Sequence, residues 1–71
     1  MATDICERFG DRLARLRKER KWDQADLAAH SGIGRAHISQ LENGKEEAGL
    51  RTLEILALSF DLSASELLRD L

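Results

Sequence analysis

Arg35, Ala36, Ser39 and Gln40 fall within six consecutive positions and offer one coherent chemistry. A guanidinium presents paired N–H donors that can bridge O6 and N7 of a guanine. A carboxamide donates and accepts together, so it can bridge N6 and N7 of an adenine. An alanine methyl can meet a thymine methyl, and a serine hydroxyl suits either kind of edge. Such a set must project from one side of a helix whose other side is buried. Ile33, Ile38 and Leu41 supply that other side at helical spacing. Taken singly, Arg35 and Gln40 would serve equally well as solvated helix positions. No catalytic chemistry competes. No Ser, His and carboxylate set is spaced for nucleophilic catalysis, and there is no glycine-rich phosphate loop. The chain therefore reads as a non-enzyme. His30 and His37 lie seven apart without a third or fourth ligand nearby, so no metal is expected. Asp26 and His30 read as a surface pair. Cys6 reads as a small apolar side chain rather than a redox sensor.

The elements that would hold these residues are written in 24–42. From Gln24, a small Ala28 falls at +4, Gly32 at +8 and the β-branched Ile38 at +14, with Leu27, Ile33 and Leu41 as apolar supports. This is the spacing of a DNA-binding helix-turn-helix, in which two helices cross at about 90–120° through a turn of 3–4 residues. Ala28 is expected at the closest approach. Gly32 is expected at φ > 0, where no Cβ interferes with the reversal.

The rest of the chain predicts an all-α fold of five helices, 4–20, 24–31, 34–42, 50–60 and 64–70, with no interior for a cofactor. Thr3 is available to cap the first helix, and residues 1–3 read as a flexible tail. Ile5, Phe9, Leu13 and Leu16 form one buried stripe, and Gly10 invites another helix close. Three later starts share one device, an apolar pair closing over the cap. Asp23 is flanked by Trp22 and Leu27, Gly34 by Ile33 and Ile38, and Ser63 by Leu62 and Leu67. Ser63 and Glu66 add a complete capping box. Gly44 should end the third helix in the left-handed conformation. In the fourth, Leu50, Leu53, Leu56, Ala57 and Phe60 should face inward.

Seventy-one residues make one domain, near the lower limit for folding alone. No apolar run approaches the ~20 residues of a membrane helix, and no signal peptide is visible. One cysteine, unable to pair within the chain, fits a reducing cytoplasm. The net charge of −2 argues at first against nucleic acid. Its distribution does not. Residues 1–45 hold nine Lys/Arg against seven Asp/Glu, and 46–71 hold two against six. Residues 8–21 are the most basic stretch, and DNA affinity follows where charge sits.

The motifs LRKER (16–20), WDQADLA (22–28), SGI (31–33), HISQLENGK (37–45) and LSASELL (62–68) together resemble the lambda-repressor-like, Cro/repressor (XRE-type) helix-turn-helix family. The resemblance covers about Phe9 to Leu71, and GRAHISQLENGK followed by LRTLEILALSF looks like the controller proteins of restriction–modification operons. It implies a compact lambda-repressor-like domain whose recognition helix, 34–42, lies in the major groove. Arg35, Ala36, Ser39 and Gln40 then take the base-facing positions. Gln24, His37 and Asn43 take backbone-contacting ones. Arg17 and Glu42 match a pair tying the first helix to the end of the recognition helix. Two departures stand out. Asp23 replaces a frequent Ser or Thr and brings a negative charge near the DNA backbone, and Gly34 replaces a hydroxyl cap. The reading that follows is a sequence-specific transcriptional regulator, a homodimer on a palindromic operator in double-stranded DNA, with no membrane or cofactor partner. The dimer is expected from residues 61–71, through Leu67, Leu68 and Leu71 beside Ile55 and Leu58. The alternative is a protein-interaction or antitoxin-like module that binds no DNA.

Overall fold

The computed structural model describes residues 4–71; the expected Thr3 cap and the 1–3 tail lie outside them. Five helices follow in order: α1 (Ile5–Glu19), α2 (Gln24–Ser31), α3 (Arg35–Glu42), α4 (Leu50–Ser59) and α5 (Ala64–Leu67). Among the described residues no helix is long and apolar enough to cross a membrane.

Local chemistry starts each helix. Asp4 caps α1 by accepting from the Cys6 backbone N–H at 2.9 Å. At α2, Asp23 Oδ1 accepts from Asp26 N at 2.7 Å and Asp26 Oδ2 accepts from Asp23 N at 2.9 Å. At α5, Ser63 Oγ accepts from Glu66 N at 3.1 Å, and Glu66 Oε1 accepts from Ser63 N at 2.9 Å. Gly34 and Gly49 precede α3 and α4 with extended backbone and no side-chain cap. Gly34 is thus the cap of α3, which begins at Arg35.

The ends are as specific. Gly32 closes α2 at φ 75°. After α3, Gly44 takes φ 71° and donates to Leu41 O at 3.2 Å, while Lys45 N donates to Gln40 O at 3.0 Å. Both orphan carbonyls are satisfied by one left-handed residue.

The core is one cluster. Phe9, Leu13 and Leu16 come from α1, Leu27 from α2, Ile38 and Leu41 from α3, Leu56 and Ala57 from α4, with Phe60 and Leu67 closing it. Ala28 and Ile33 pack against it between α2 and α3. α1 lies directly on the end of α3. A Cβ on Gly10 would stand 2.5 Å from Glu42 O and 2.6 Å from Leu41 O, so only glycine admits this approach.

Three expectations are corrected. Ile5 is 56% exposed and Leu50 85%, because each stands on the first turn of its helix with no neighbouring element over it. Both spacings were helical, but a stripe is buried only as far as something covers it. α5 spans four residues rather than 64–70. Its last carbonyls are claimed by side chains from α1: Arg12 Nη2 donates to Glu66 O at 2.7 Å and Arg12 Nε to Leu67 O at 3.2 Å. The chain then turns, with Asp70 at φ 64°.

Candidate nucleic-acid interface

The site is assembled around α3. Ile38 and Leu41 are fully buried and fix the roll of the helix. Arg35, Ala36 and Gln40 are left exposed, and Ser39 is half-buried. The four expected base-facing residues thus lie away from the buried face. Ser39 also takes part in a local contact, with Asn43 Nδ2 3.4 Å from its hydroxyl.

A buried charge network sets the position of α3. Glu42 Oε2 accepts from Arg17 Nε at 2.7 Å and Oε1 from Arg17 Nη2 at 2.9 Å. The two side chains are 11% and 6% exposed, so this is a desolvated, two-pronged pair. Arg17 Nη1 also donates to Trp22 O at 2.8 Å, which ties in the turn before α2. Its hydrogen bond to Glu42 raises the guanidinium pKa above its already high ordinary value, against the opposing pull of burial.

Gln24 joins this network. Its Nε2 donates to Glu42 Oε1 at 3.2 Å, so the expected backbone-contacting amide has a donor committed inside the protein. His37 stands with Nδ1 3.5 Å from Glu46 Oε2, linking α3 to the following loop. Asn43 is exposed at the helix end. The network therefore brings Arg17, Gln24 and Glu42 together, while His37 and Asn43 lie along α3 and its end.

Sequence reasoning missed three features. Part of the basic stretch of 8–21 is committed within the fold, while Arg15, Lys18 and Lys21 stay exposed. Arg12 holds α5, Arg8 Nη2 donates to Leu71 O at 3.2 Å, and Arg20 donates through Nη2 to Phe60 O. Arg20 also lies over the Phe60 ring at 4.9 Å. A guanidinium reaches about six atoms from its Cα, and spacing does not say where it ends. Secondly, Asp26 closes the α2 capping box, and the expected pairing with His30 gives way to it. His30 stacks on Trp22 at 4.1 Å, with Phe60 5.7 Å beyond. The Asp-x-x-Asp spacing was the available signal. Thirdly, Cys6 sits beside Asp4; burial first, then that carboxylate, push its thiol pKa up.

The expected dimer residues separate. Ile55 is 39% and Leu58 72% exposed. Leu67 is fully buried in the core and is corrected out of any interface, since α5 uses it to close over α4 and α1. Leu68 and Leu71 are half-buried and turn toward α1, lining a cleft of about 200 Å³ with Ile5, Phe9 and Leu53. They do not stand beside Leu58, which borders a different depression with Leu50 and Leu62.

A family model described as helix-turn-helix matches residues 13–67. Over 69 residues the chain is 38% identical to the control protein C.MunI of a Mycoplasma species, covering 96% of this chain and 93% of that one. In two longer curated relatives it spans 29% of their length. Among solved structures, it superposes on the restriction–modification controller C.AhdI from Aeromonas hydrophila with a TM-score of 0.83 at 32% identity, covering 87% of this chain and 94% of that one. The controller C.Esp1396I, solved as a tetramer on its 35-base-pair operator, shares the fold at a TM-score of 0.81 and 23% identity, over 94% of this chain and 92% of that one.

Proposed function

The chain belongs to the helix-turn-helix family of DNA-binding transcriptional regulators, and from this we propose that it acts as a controller-type regulator, a homodimer on a palindromic operator. One observation carries the reading. α3 is locked on its inner side by Ile38, Leu41 and Glu42, while Arg35, Ala36 and Gln40 stand exposed. A rigid helix with base-matching side chains on its free face is what major-groove readout requires. Arg35 and Gln40 are the base-readers, with Ala36 and Ser39 alongside. The N-terminus of α2, His37 and Asn43 face the backbone. The 38% identity to a control protein over nearly both full lengths supports regulation of a restriction–modification operon. Action in the cytoplasm without catalysis follows from the same reading.

The dimer would place two copies of α3 about 34–36 Å apart, one DNA turn. Leu50, Ile55 and Leu58 on α4 supply an exposed apolar surface for it, whereas Leu68 and Leu71 line the separate cleft against α1. Selection of bound sequences from a random duplex pool tests both parts. A two-fold site with half-sites one turn apart is the expected result. Arg35→Ala and Gln40→Ala should each weaken that site by about 1–3 kcal/mol and relax preference at a single base pair. Equal weakening on cognate and random DNA would assign these residues to backbone contact instead.

A further inference from the structure

The first turn of a helix is an anion seat, with backbone N–H groups unpaired and the positive end of the dipole exposed. In the proposed docking the α2 N-terminus meets the DNA backbone. In this chain that seat is filled from within. Asp23 Oδ1 accepts from Asp26 N at 2.7 Å, and Asp26 Oδ2 returns to Asp23 N at 2.9 Å. Two exposed carboxylates therefore crowd one helix end. Gln24, which could have offered a phosphate its amide, donates to Glu42 at 3.2 Å.

The cap does not account for the charge. At α5 the same box is made with the neutral Ser63 at the cap, whose hydroxyl accepts from Glu66 N at 3.1 Å. A serine at 23 would satisfy the same backbone donor. What aspartate adds is a fixed negative charge. The hydrogen bond from the Asp26 backbone holds the Asp23 carboxyl below the ordinary carboxylate range. The positive charge of Arg35 contributes in the same direction to a smaller extent.

We propose that Asp23 is a selectivity residue: its carboxylate holds the anion seat of α2 against DNA phosphate, so binding depends on base contacts rather than backbone attraction. The proposal rests on the DNA-binding reading and deepens it. Without a matched base for Arg35, the duplex pays the repulsion and gains little. With one, the base contacts offset that repulsion.

The test compares wild type with Asp23→Ser and Asp23→Asn, both good helix caps. Binding is measured on the operator returned by selection and on a scrambled duplex of equal length, from 50 to 300 mM salt, beside thermal melts. Both variants should bind the scrambled duplex about fivefold tighter or more. The gain on the operator should be smaller, so the ratio of the two affinities falls. The slope of log K against log salt should steepen by about one per protomer as a phosphate is regained. Scrambled-duplex affinities within twofold of wild type in folded variants would overturn the proposal and leave the DNA reading intact. So would weaker binding to both duplexes. A wild-type protein that binds neither duplex at 50 mM salt overturns both readings.

Discussion

Glu42 ties three helices together through one carboxylate. Its two oxygens accept from Arg17 twice and from Gln24 once, so the end of α3, the last turn of α1 and the start of α2 meet there. Removing either member of the pair leaves a lone charge in a desolvated place. Arg17→Met and Glu42→Gln should each cost about 3–5 kcal/mol, and the double variant less than their sum. Chemical denaturation of the four proteins measures the coupling, and additivity would show the pair to be independent. Gly10 is a second point where one atom decides. Alanine gains roughly 1 kcal/mol of helix propensity there. Its Cβ would nevertheless stand 2.5 Å from a backbone carbonyl that cannot yield, and α1 would have to lift off α3. The net loss for Gly10→Ala should be about 1–3 kcal/mol, a fall of several degrees in Tm for a domain this size. An unchanged melt would mean the two helices separate without cost. The close approach at Gly10 was legible from a glycine inside a helical stripe, and the Arg17–Glu42 pair through the resemblance to the family. The attachment of Gln24 was not, because a carboxamide donor suits a phosphate and a carboxylate alike.

At the scale of elements, helix starts were legible and one end was not. A start depends on a side chain and a backbone N–H two or three residues apart, so Asp23 and Ser63 announce themselves. The end of α5 depends on Arg12, more than fifty residues away in the chain, and no local pattern carries that. Ile5 and Leu50 failed for a related reason, since periodicity marks a face but not how far its cover extends. The caps also give the protein an acid limit. Asp23 and Glu66 each have pKa values lowered in the fold, chiefly by the backbone N–H groups of Asp26 and Ser63. A lowered folded pKa contributes stability above the unfolded value and loses it as pH falls through the folded one. Thermal midpoints should therefore stay level from pH 7 to about 5 and drop below about pH 4. In Asp23→Ser that drop should be shallower, which melts across the acid range would register. An equally steep fall would place the acid sensitivity elsewhere.

At the scale of the molecule, the outer side of α4 is the feature the monomer leaves unused. Leu50, Ile55 and Leu58 are 85%, 39% and 72% exposed on one short helix. A self-complementary patch makes an isologous pair. Leu58→Glu should leave the melting curve of the monomer fold in place while converting a dimer of twice 8.0 kDa to a single 8.0 kDa species. It should also weaken operator binding at least tenfold, since two half-sites are then engaged independently. Sedimentation at micromolar concentration reads the first effect and titration of the operator the second. A wild-type protein sedimenting as a monomer would dispose of the interface. The leucine-rich C-terminus was legible as a surplus of apolar residues, but not its division between core and surface. Leu67 fell to the core because α5 is only one turn long and has a single residue to spend there.

The arginine grips of α1 have a consequence in time as well as space. Arg8 reaches Leu71, Arg12 reaches Leu67 and Glu66, and Arg20 reaches Phe60. On the ribosome α1 emerges before α4 and α5, so these guanidiniums find their carbonyls only after residues 60–71 have followed. A nascent chain stalled in the loop after Gly44 already holds all of α3, but on a body that has nothing to close it. Such a product lacks Leu56, Ala57, Phe60 and Leu67 of the core and should not present the recognition helix rigidly.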